Sequence, residues 1–472
     1  MLRALLDWFK TGPDLPPRSA DPAEIDRVYH KKRWSVFLAL TLGYGFFYVV
    51  RLNFSVVKKP LLDEGIFSAT EMGLIGSALL GVYAIGRFSN GFLTDRANIR
   101  RFMATALLCS ALVNLVLGAM SWFVAFVLLW GLNGWFQSIG AAPSGASLRQ
   151  WFCKREYGTR YGIWSSSHGL GTAITFVATS ALVAAFGWRW GFWGPGLIAL
   201  GAAVVLFFTL QDRPQTYGLP PIDQWKGEPL SAAAGVLPVG QQQAMVLKDF
   251  AIWRIGLAAL AMYVARYGIN SWGVLYLQEA KGYDLVQAGT WLGIYTVATL
   301  VGAVLSGWFS DRFFAARRNM PSLIFGVLEV VSLVALYLIP PGAIWLDAVA
   351  LSVFGVALGV LLAYLGGLWA VDIAPPQAAG AAMGLIGLLS YIGASIQDTI
   401  SGALIDGTKH CAAYVELYSS TPAGFPDDPW FLTPSCMAKA SYSFGPAFAF
   451  WVITSLVSIA LVISVWNAKP KV

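Results

Sequence analysis

Residues 91–101 read GFLTDRANIRR and residues 307–318 read GWFSDRFFAARR. Each opens on a glycine, sets Asp-Arg four residues later and closes on two arginines. Each also follows a long apolar run. Asp95 and Asp311 lie 216 residues apart in a chain of 472. One charged motif at the end of two apolar runs marks two related units, and the remaining sequence divides by nearly the same offset.

Apolar runs long enough to cross a bilayer fall at 34–56, 70–93, 101–120, 123–147, 160–184 and 189–210, and again at 251–279, 287–310, 320–340, 344–371, 379–405 and 442–466. A crossing needs about 20 residues at about 1.5 Å per residue, and every run meets that. The chain is 57% hydrophobic and 12% charged, against about 25% charged in soluble domains. It therefore reads as an all-α membrane protein of twelve transmembrane helices in two six-helix pseudo-symmetric halves, 34–210 and 251–466. A tail (1–33), a Pro- and Gln-rich linker (211–250), a long loop within the second half (406–441) and a short end (467–472) complete the chain.

The net charge of +7 follows from orientation. With both termini in the cytoplasm, inside segments hold 23 Lys and Arg and outside segments hold six: Lys58, Lys59, Arg189, Lys281, Lys409 and Lys439. Lysine and arginine gather on the cytoplasmic side of membrane proteins. Both termini are therefore expected there, and the basic surplus points to no nucleic acid. No secretory signal peptide is expected at the start. MLRALLDWFK (1–10) reads either as a short interfacial helix with Leu2, Leu5, Leu6 and Phe9 on one side or as a frayed tail.

Three arginines lie inside the apolar runs. YVVRLNFS (48–55) holds Arg51 in the first, and YVARYGIN (263–270) holds Arg266 in the seventh, 215 residues on. Arg87 lies in the second. An arginine at a helix centre costs about 2.5–3.5 kcal/mol on insertion scales. The acids considered as partners, Glu329 and Asp398, do not stand at repeat-related positions, and Asp398 is expected near the outer surface, in water. An anionic substrate is the better reading. A phosphate monoester carries about 1.5 to 2 negative charges, and a guanidinium grips two of its oxygens at once where a lysine does not. Tyr44, Tyr48 and Arg51 fall on one helix face, as do Tyr83 with Arg87, and Tyr263 with Arg266 and Asn270. The tyrosines are read as lining the same cavity. His168, in IWSSSHGLGTA (163–173), is read as adding charge beside a dianion. Gln137 and Tyr391 are further cavity candidates, with helix packing as the competing role.

In the paired motif, Gly91 and Gly307 are read as allowing close helix contact. Asp95, Arg96, Arg100, Asp311 and Arg312 are read as a charge network that latches one conformation. Two six-helix repeats about an axis along the membrane normal describe a rocking transporter with its site between the halves.

Twelve spans in two halves, each with this loop motif, resemble the major facilitator superfamily. YVVRLNFS, SHGLG (167–171) and YVARYGINSWG (263–273) further resemble the organophosphate:phosphate antiporters, which include the hexose-phosphate and glycerol-3-phosphate permeases. The resemblance implies that Arg51 and Arg266 hold the phosphoryl group, with His168 beside it and Tyr44, Tyr48, Tyr83 and Tyr263 around it. It also implies that Arg87 stands where the family commonly has lysine. DRPQTYGLPPIDQW (212–225) and AAGAAMGLIGLLSYIGAS (378–395) resemble the sensor-like hexose-phosphate proteins of that family. Met383 and Ile386 replace an acid and a lysine of the hexose-phosphate permease, which leaves the sugar open.

Two functions follow. One is a carrier in the inner membrane that exchanges a sugar phosphate, such as glucose 6-phosphate or another hexose 6-phosphate, for inorganic phosphate by rocker-switch alternating access. The other is a receptor that senses external hexose phosphate and signals to a partner histidine kinase. The sequence contains no zinc-protease helix, nucleophile elbow or P-loop, so no enzyme is expected. Neither a metal nor a cofactor is expected, and a monomer in the lipid bilayer is. Cys411 and Cys436 share the outer loop, where a disulfide is chemically allowed; two free thiols are the alternative. Replacing Lys58, expected in an outer loop, is expected to spare phosphate binding, while Arg51→Lys or Arg266→Lys breaks it.

Overall fold

The computed structural model describes residues 7–19, 21–94, 96–227, 239–314, 318–374, 379–411 and 440–466. Eleven helices among these residues are long and apolar enough to cross a membrane. A further helix of 28 residues, Ala379–Asp406, makes twelve. The first half contains Pro22–Val49 continuing as Asn53–Asp63, then Ala69–Thr94, Ile99–Gly118, Phe123–Gln137 continuing as Ala141–Trp151, Lys154–Phe186 and Trp190–Thr209. The second contains Phe250–Glu279, Leu285–Phe314, Asn319–Leu338, Ile344–Ala363, Ala379–Asp406 and Gly445–Ser464. The protein is thus a multi-pass membrane protein of twelve helices.

Local chemistry sets several helix starts. The side chain of Asp21 accepts the Ala23 N–H, and Pro22 fills the first turn, so the first helix begins well before its apolar run. Asn98 accepts the Arg101 N–H at the start of the third span, and Asp249 does the same for Ala251 at the seventh. Three spans are interrupted where the hydropathy pattern is continuous. The first breaks between Val49 and Asn53, with Arg51 inside the break. The fourth breaks between Gln137 and Ala141. The tenth runs through a wide turn at Tyr364–Leu368, where Gly367 takes φ +152°, a conformation side chains resist.

Between the halves, the second span packs on the eleventh and the fifth on the eighth. At the ends remote from the linker, backbone approaches backbone. A Cβ on Gly73 or Gly402 would strike the opposite helix, as would one on Gly289. At the linker ends of the same helices, Gly91, Gly158, Gly162, Gly307 and Gly384 have open space beside them among the described residues. The halves therefore meet at the far end and part at the linker end.

The tail and the first part of the linker belong physically to the first half. Asn98 donates its backbone N–H to the Phe9 carbonyl (2.7 Å), and Thr11 donates to that of Arg96 (3.2 Å). Arg213 pairs with Asp14 at 2.7 Å. Trp225 stacks on Tyr29 at 4.1 Å between ring centres, and Arg149 forks onto both oxygens of Asp223. Of the expected interfacial stripe, Leu2, Leu5 and Leu6 lie outside the described residues. Phe9 packs edge-on against Phe102.

Candidate substrate site between the two halves

Arg51 is 4% exposed and stands at the centre of the interface. Its Nη2 donates to the Tyr267 hydroxyl of the other half at 3.1 Å. Its guanidinium lies 4.0 Å over the Tyr83 ring, 5.2 Å over Tyr48 and 5.3 Å over Tyr391. Arg87 reaches the same Tyr391 ring at 5.6 Å. It also crosses against Gly387, where a Cβ would sit 3.2 Å from its Cζ. Arg266 faces Tyr263 at 4.9 Å and Tyr267 at 5.4 Å. Tyr83 meets Tyr391 across the halves at 4.4 Å, and within the second half Tyr391 also meets Tyr263 at 5.6 Å and Tyr267 at 6.0 Å.

Each of the three guanidiniums thus lies against electron-rich ring faces. None of them has a carboxylate within ion-pair distance among the described residues. Arg51 Nε is buried with no hydrogen-bond partner there. Rings and one hydroxyl hold the arginines in place with no counter-charge, which is the chemistry of an anion site. His168 sits at the rim, its ring 5.5 Å from that of Tyr48, and its Nδ1–H donates to the Ser165 carbonyl. Tyr44 stacks on Trp164 at 4.7 Å and meets Tyr48 edge-on at 5.6 Å. Asn270 lines a cavity of about 30 Å³ with Arg51, Ser55, Tyr267, Ser271 and Asp398. That is room for a water among polar groups.

Several expectations change. Arg51 does not continue the helix face of Tyr44 and Tyr48, because the helix ends at Val49. Gln137 is buried and donates to Ser110 Oγ at 2.9 Å. Tyr391, placed among the minor candidates, is the ring that most others touch. Tyr267, one residue after Arg266, lies off the face that carries Tyr263, Arg266 and Asn270, yet it contacts both Arg51 and Arg266. The seventh helix is buried nearly all round, so the site uses more than one of its faces.

The larger correction concerns Lys58 and Asp398. Neither is in water: Lys58 is 0% exposed and Asp398 2%. They pair at 3.4 Å across the halves, with Ser271 Oγ receiving from Lys58 at 2.8 Å and donating to Asp398 at 2.7 Å. The ammonium also lies 3.3 Å over Trp272. A Cβ on Gly76 would collide with the Asp398 carboxylate. This pair seals the far end beyond the cavity beside Arg51, and it makes Lys58 a poor neutral reference. Lys281 stands in the expected connection, after Glu279 and before Leu285, but it is buried there against Asp347 at 3.1 Å. Glu329 is buried, its Oε1 without a hydrogen-bond partner among the described residues, and nothing in the structure explains it.

Of the paired loop motif, Asp95 lies outside the described residues, as does the side chain of Asp311. Gly91 and Gly307 make no close helix contact among the described residues. Arg96 and Arg312 are exposed, while Arg100 donates from Nε to the Phe207 carbonyl and lies over that ring. Cys436 and the side chain of Cys411 also lie outside the described residues.

Residues 37–397 match the sequence profile of the Major Facilitator Superfamily. The chain is 32% identical over 394 residues to the membrane sensor protein UhpC of Salmonella typhimurium, covering 82% of this chain and 89% of that one. It is 32% identical to the glycerol-3-phosphate transporter of Bacillus subtilis, covering 88% and 95% of the two chains. It is 33% identical to a probable hexose phosphate transport protein of Chlamydia muridarum, covering 80% and 87%. A crystal structure of a bacterial homolog of the human lysosomal transporter Spinster shares the fold, with a TM-score of 0.73 at 16% identity over 93% of this chain and 99% of that one. These are transport-family proteins and not enzymes. The chain belongs to the major facilitator superfamily, within its organophosphate:phosphate antiporters.

Proposed function

We propose that this protein carries a hexose 6-phosphate across a bacterial inner membrane in exchange for inorganic phosphate, as a monomer. The observation that carries the reading is the set of three arginines, drawn from both halves, with Arg51 and Arg87 over Tyr391 and Arg266 over its neighbour Tyr267, and with no carboxylate partner among the described residues. Arg51 and Arg266 take the phosphoryl oxygens, Arg87 and His168 add charge and hydrogen bonding, and the tyrosines face the sugar. Because Arg51 and Arg266 belong to different halves, a bound dianion draws the halves together, and the exchange substrate resets them. The charge distribution supports a cytoplasmic linker side, so the state described here is open to the cytoplasm. Asp95 and Asp311 with their arginines latch the opposite state.

The test uses proteoliposomes loaded with inorganic phosphate and given labelled glucose 6-phosphate outside. Saturable counterflow is the expected result. A protein that binds phosphate yet gives no counterflow overturns the carrier reading. A second reading, a sensor for external hexose phosphate, draws support from the relatives named as membrane sensor UhpC in two organisms. Co-purification of a histidine kinase with a non-transporting protein would favour it.

A further inference from the structure

The break at Arg51 exposes backbone that a membrane interior leaves no water to satisfy. Helical geometry stops at Val49 and resumes at Asn53. The Val50 carbonyl is met by two side-chain amides from other helices. Asn133 Nδ2 donates to it at 2.8 Å and Asn114 Nδ2 at 3.3 Å. Each amide is itself held. Ser110 Oγ donates to Asn133 Oδ1 at 2.6 Å, Gln137 donates to Ser110 Oγ at 2.9 Å, and Asn53 Nδ2 donates to Asn114 Oδ1 at 2.9 Å and to the Gly191 carbonyl at 2.8 Å. Asn53, Asn114, Asn133 and Ser110 are wholly buried.

The Val50 carbonyl and the Arg51 N–H share one planar peptide unit. The N–H end is tied to the Tyr48 carbonyl at 3.2 Å. With the carbonyl end gripped by two amides, the whole unit is fixed, and with it the direction in which Arg51 leaves the chain. Arg266 has no counterpart to this: it lies inside one continuous helix, Phe250–Glu279. The two arginines are therefore aimed by different means.

We propose that Asn114 and Asn133 are positioning residues for Arg51, acting through the Val50 carbonyl, although neither lines the arginine cage. The proposal rests on the reading of Arg51 as a phosphoryl ligand. It accounts for why three asparagines and a glutamine cluster in a dry helical interior beside the break, where each unsatisfied amide is costly.

The test measures binding of inorganic phosphate to the full chain in lipid nanodiscs. Asn133→Leu and Asn114→Leu are each expected to weaken phosphate at least tenfold. Asn90→Leu removes a comparable buried amide bond, to Ser138 Oγ at 2.7 Å, away from the break, and is expected to stay within twofold. In an Arg51→Lys background, Asn133→Leu is expected to add less than twofold, because the group it aims is already gone. Ser110→Ala, which only loosens Asn133, serves if the leucine variants do not fold; about threefold weakening is expected, again vanishing with Arg51→Lys. If Arg51→Lys itself binds phosphate normally, the phosphoryl reading of Arg51 fails. If Arg51→Lys binds poorly while the asparagine and serine variants bind like the wild type, the positioning role fails. It fails equally if their effects multiply undiminished with that of Arg51→Lys, which is what general loss of packing produces.

Discussion

Two sets of charge within the helical spans lie on either side of a cavity of about 30 Å³. On one side Arg51, Arg87 and Arg266 are surrounded by tyrosine rings and no described acid. On the other, Lys58 is matched by Asp398, bridged by Ser271 and covered by Trp272. Both sets join the two halves. The matched set is complete without a ligand, and its role is to close an end. The unmatched set is a surplus of positive charge, with Arg51 buried and Arg87 and Arg266 partly exposed, and it is tolerated because guanidinium is weakly hydrated and accepts ring faces as partial solvent. Charge within the spans that has its counter-charge is structure; charge there without one is waiting for a ligand.

The contrast breaks most sharply at Asp398. Asp398→Asn strands the Lys58 ammonium and is expected to lower stability by about 3–5 kcal/mol, read as a drop in thermal midpoint. Adding Lys58→Met should restore most of it. A stable single variant would show that the pair is not dry.

Arg51→Lys and Arg266→Lys test the other side. Each keeps the charge and loses the fork. Phosphate affinity is expected to fall about 100-fold, roughly 2.7 kcal/mol, with little change in thermal midpoint. Near-normal affinity in either variant would mean that point charge suffices.

Gly76→Ala sharpens the comparison without touching a charge. The new methyl meets the Asp398 carboxylate, so overpacking of about 1–3 kcal/mol falls on the closed far end alone. Thiol-reagent access to a cysteine placed beside Ser271 from that side should rise roughly tenfold. Unchanged access would place the seal elsewhere. The smallest effect is expected from Tyr267→Phe. It removes the acceptor of Arg51 Nη2 and should weaken phosphate about fivefold, the worth of about 1 kcal/mol; an unchanged dissociation constant would leave that hydroxyl without a role in aiming Arg51.

Legibility in the sequence followed the range of the forces involved. Hydropathy is local, so the spans were readable, and the motif repeat made the halves readable as well. Arg51, Arg87 and Arg266 announced themselves because charge in an apolar run needs a reason. The break at 50–52 was not readable, since YVVRLNFS holds no Pro or Gly to mark it and the amides that stabilise the break come from Asn114 and Asn133 on other spans. Lys58 was misplaced because its partner is 340 residues away in sequence and a lysine beside another lysine and a proline looks like loop. Tyr391 was undervalued for a related reason: it sits far in sequence from the arginines whose rings it completes.

The tail and linker contacts redraw where the chain divides. Residues 212–227 are fastened to the first half by Trp225 on Tyr29, Asp223 on Arg149 and Asp212, whose carboxylate takes the Asn98 amide at 3.0 Å. If the protein were produced as two separate polypeptides meant to reassemble in one membrane, the seam belongs after Gly227. A seam at the end of the sixth span would strip a cap from one fragment and leave the other carrying an orphaned aromatic patch.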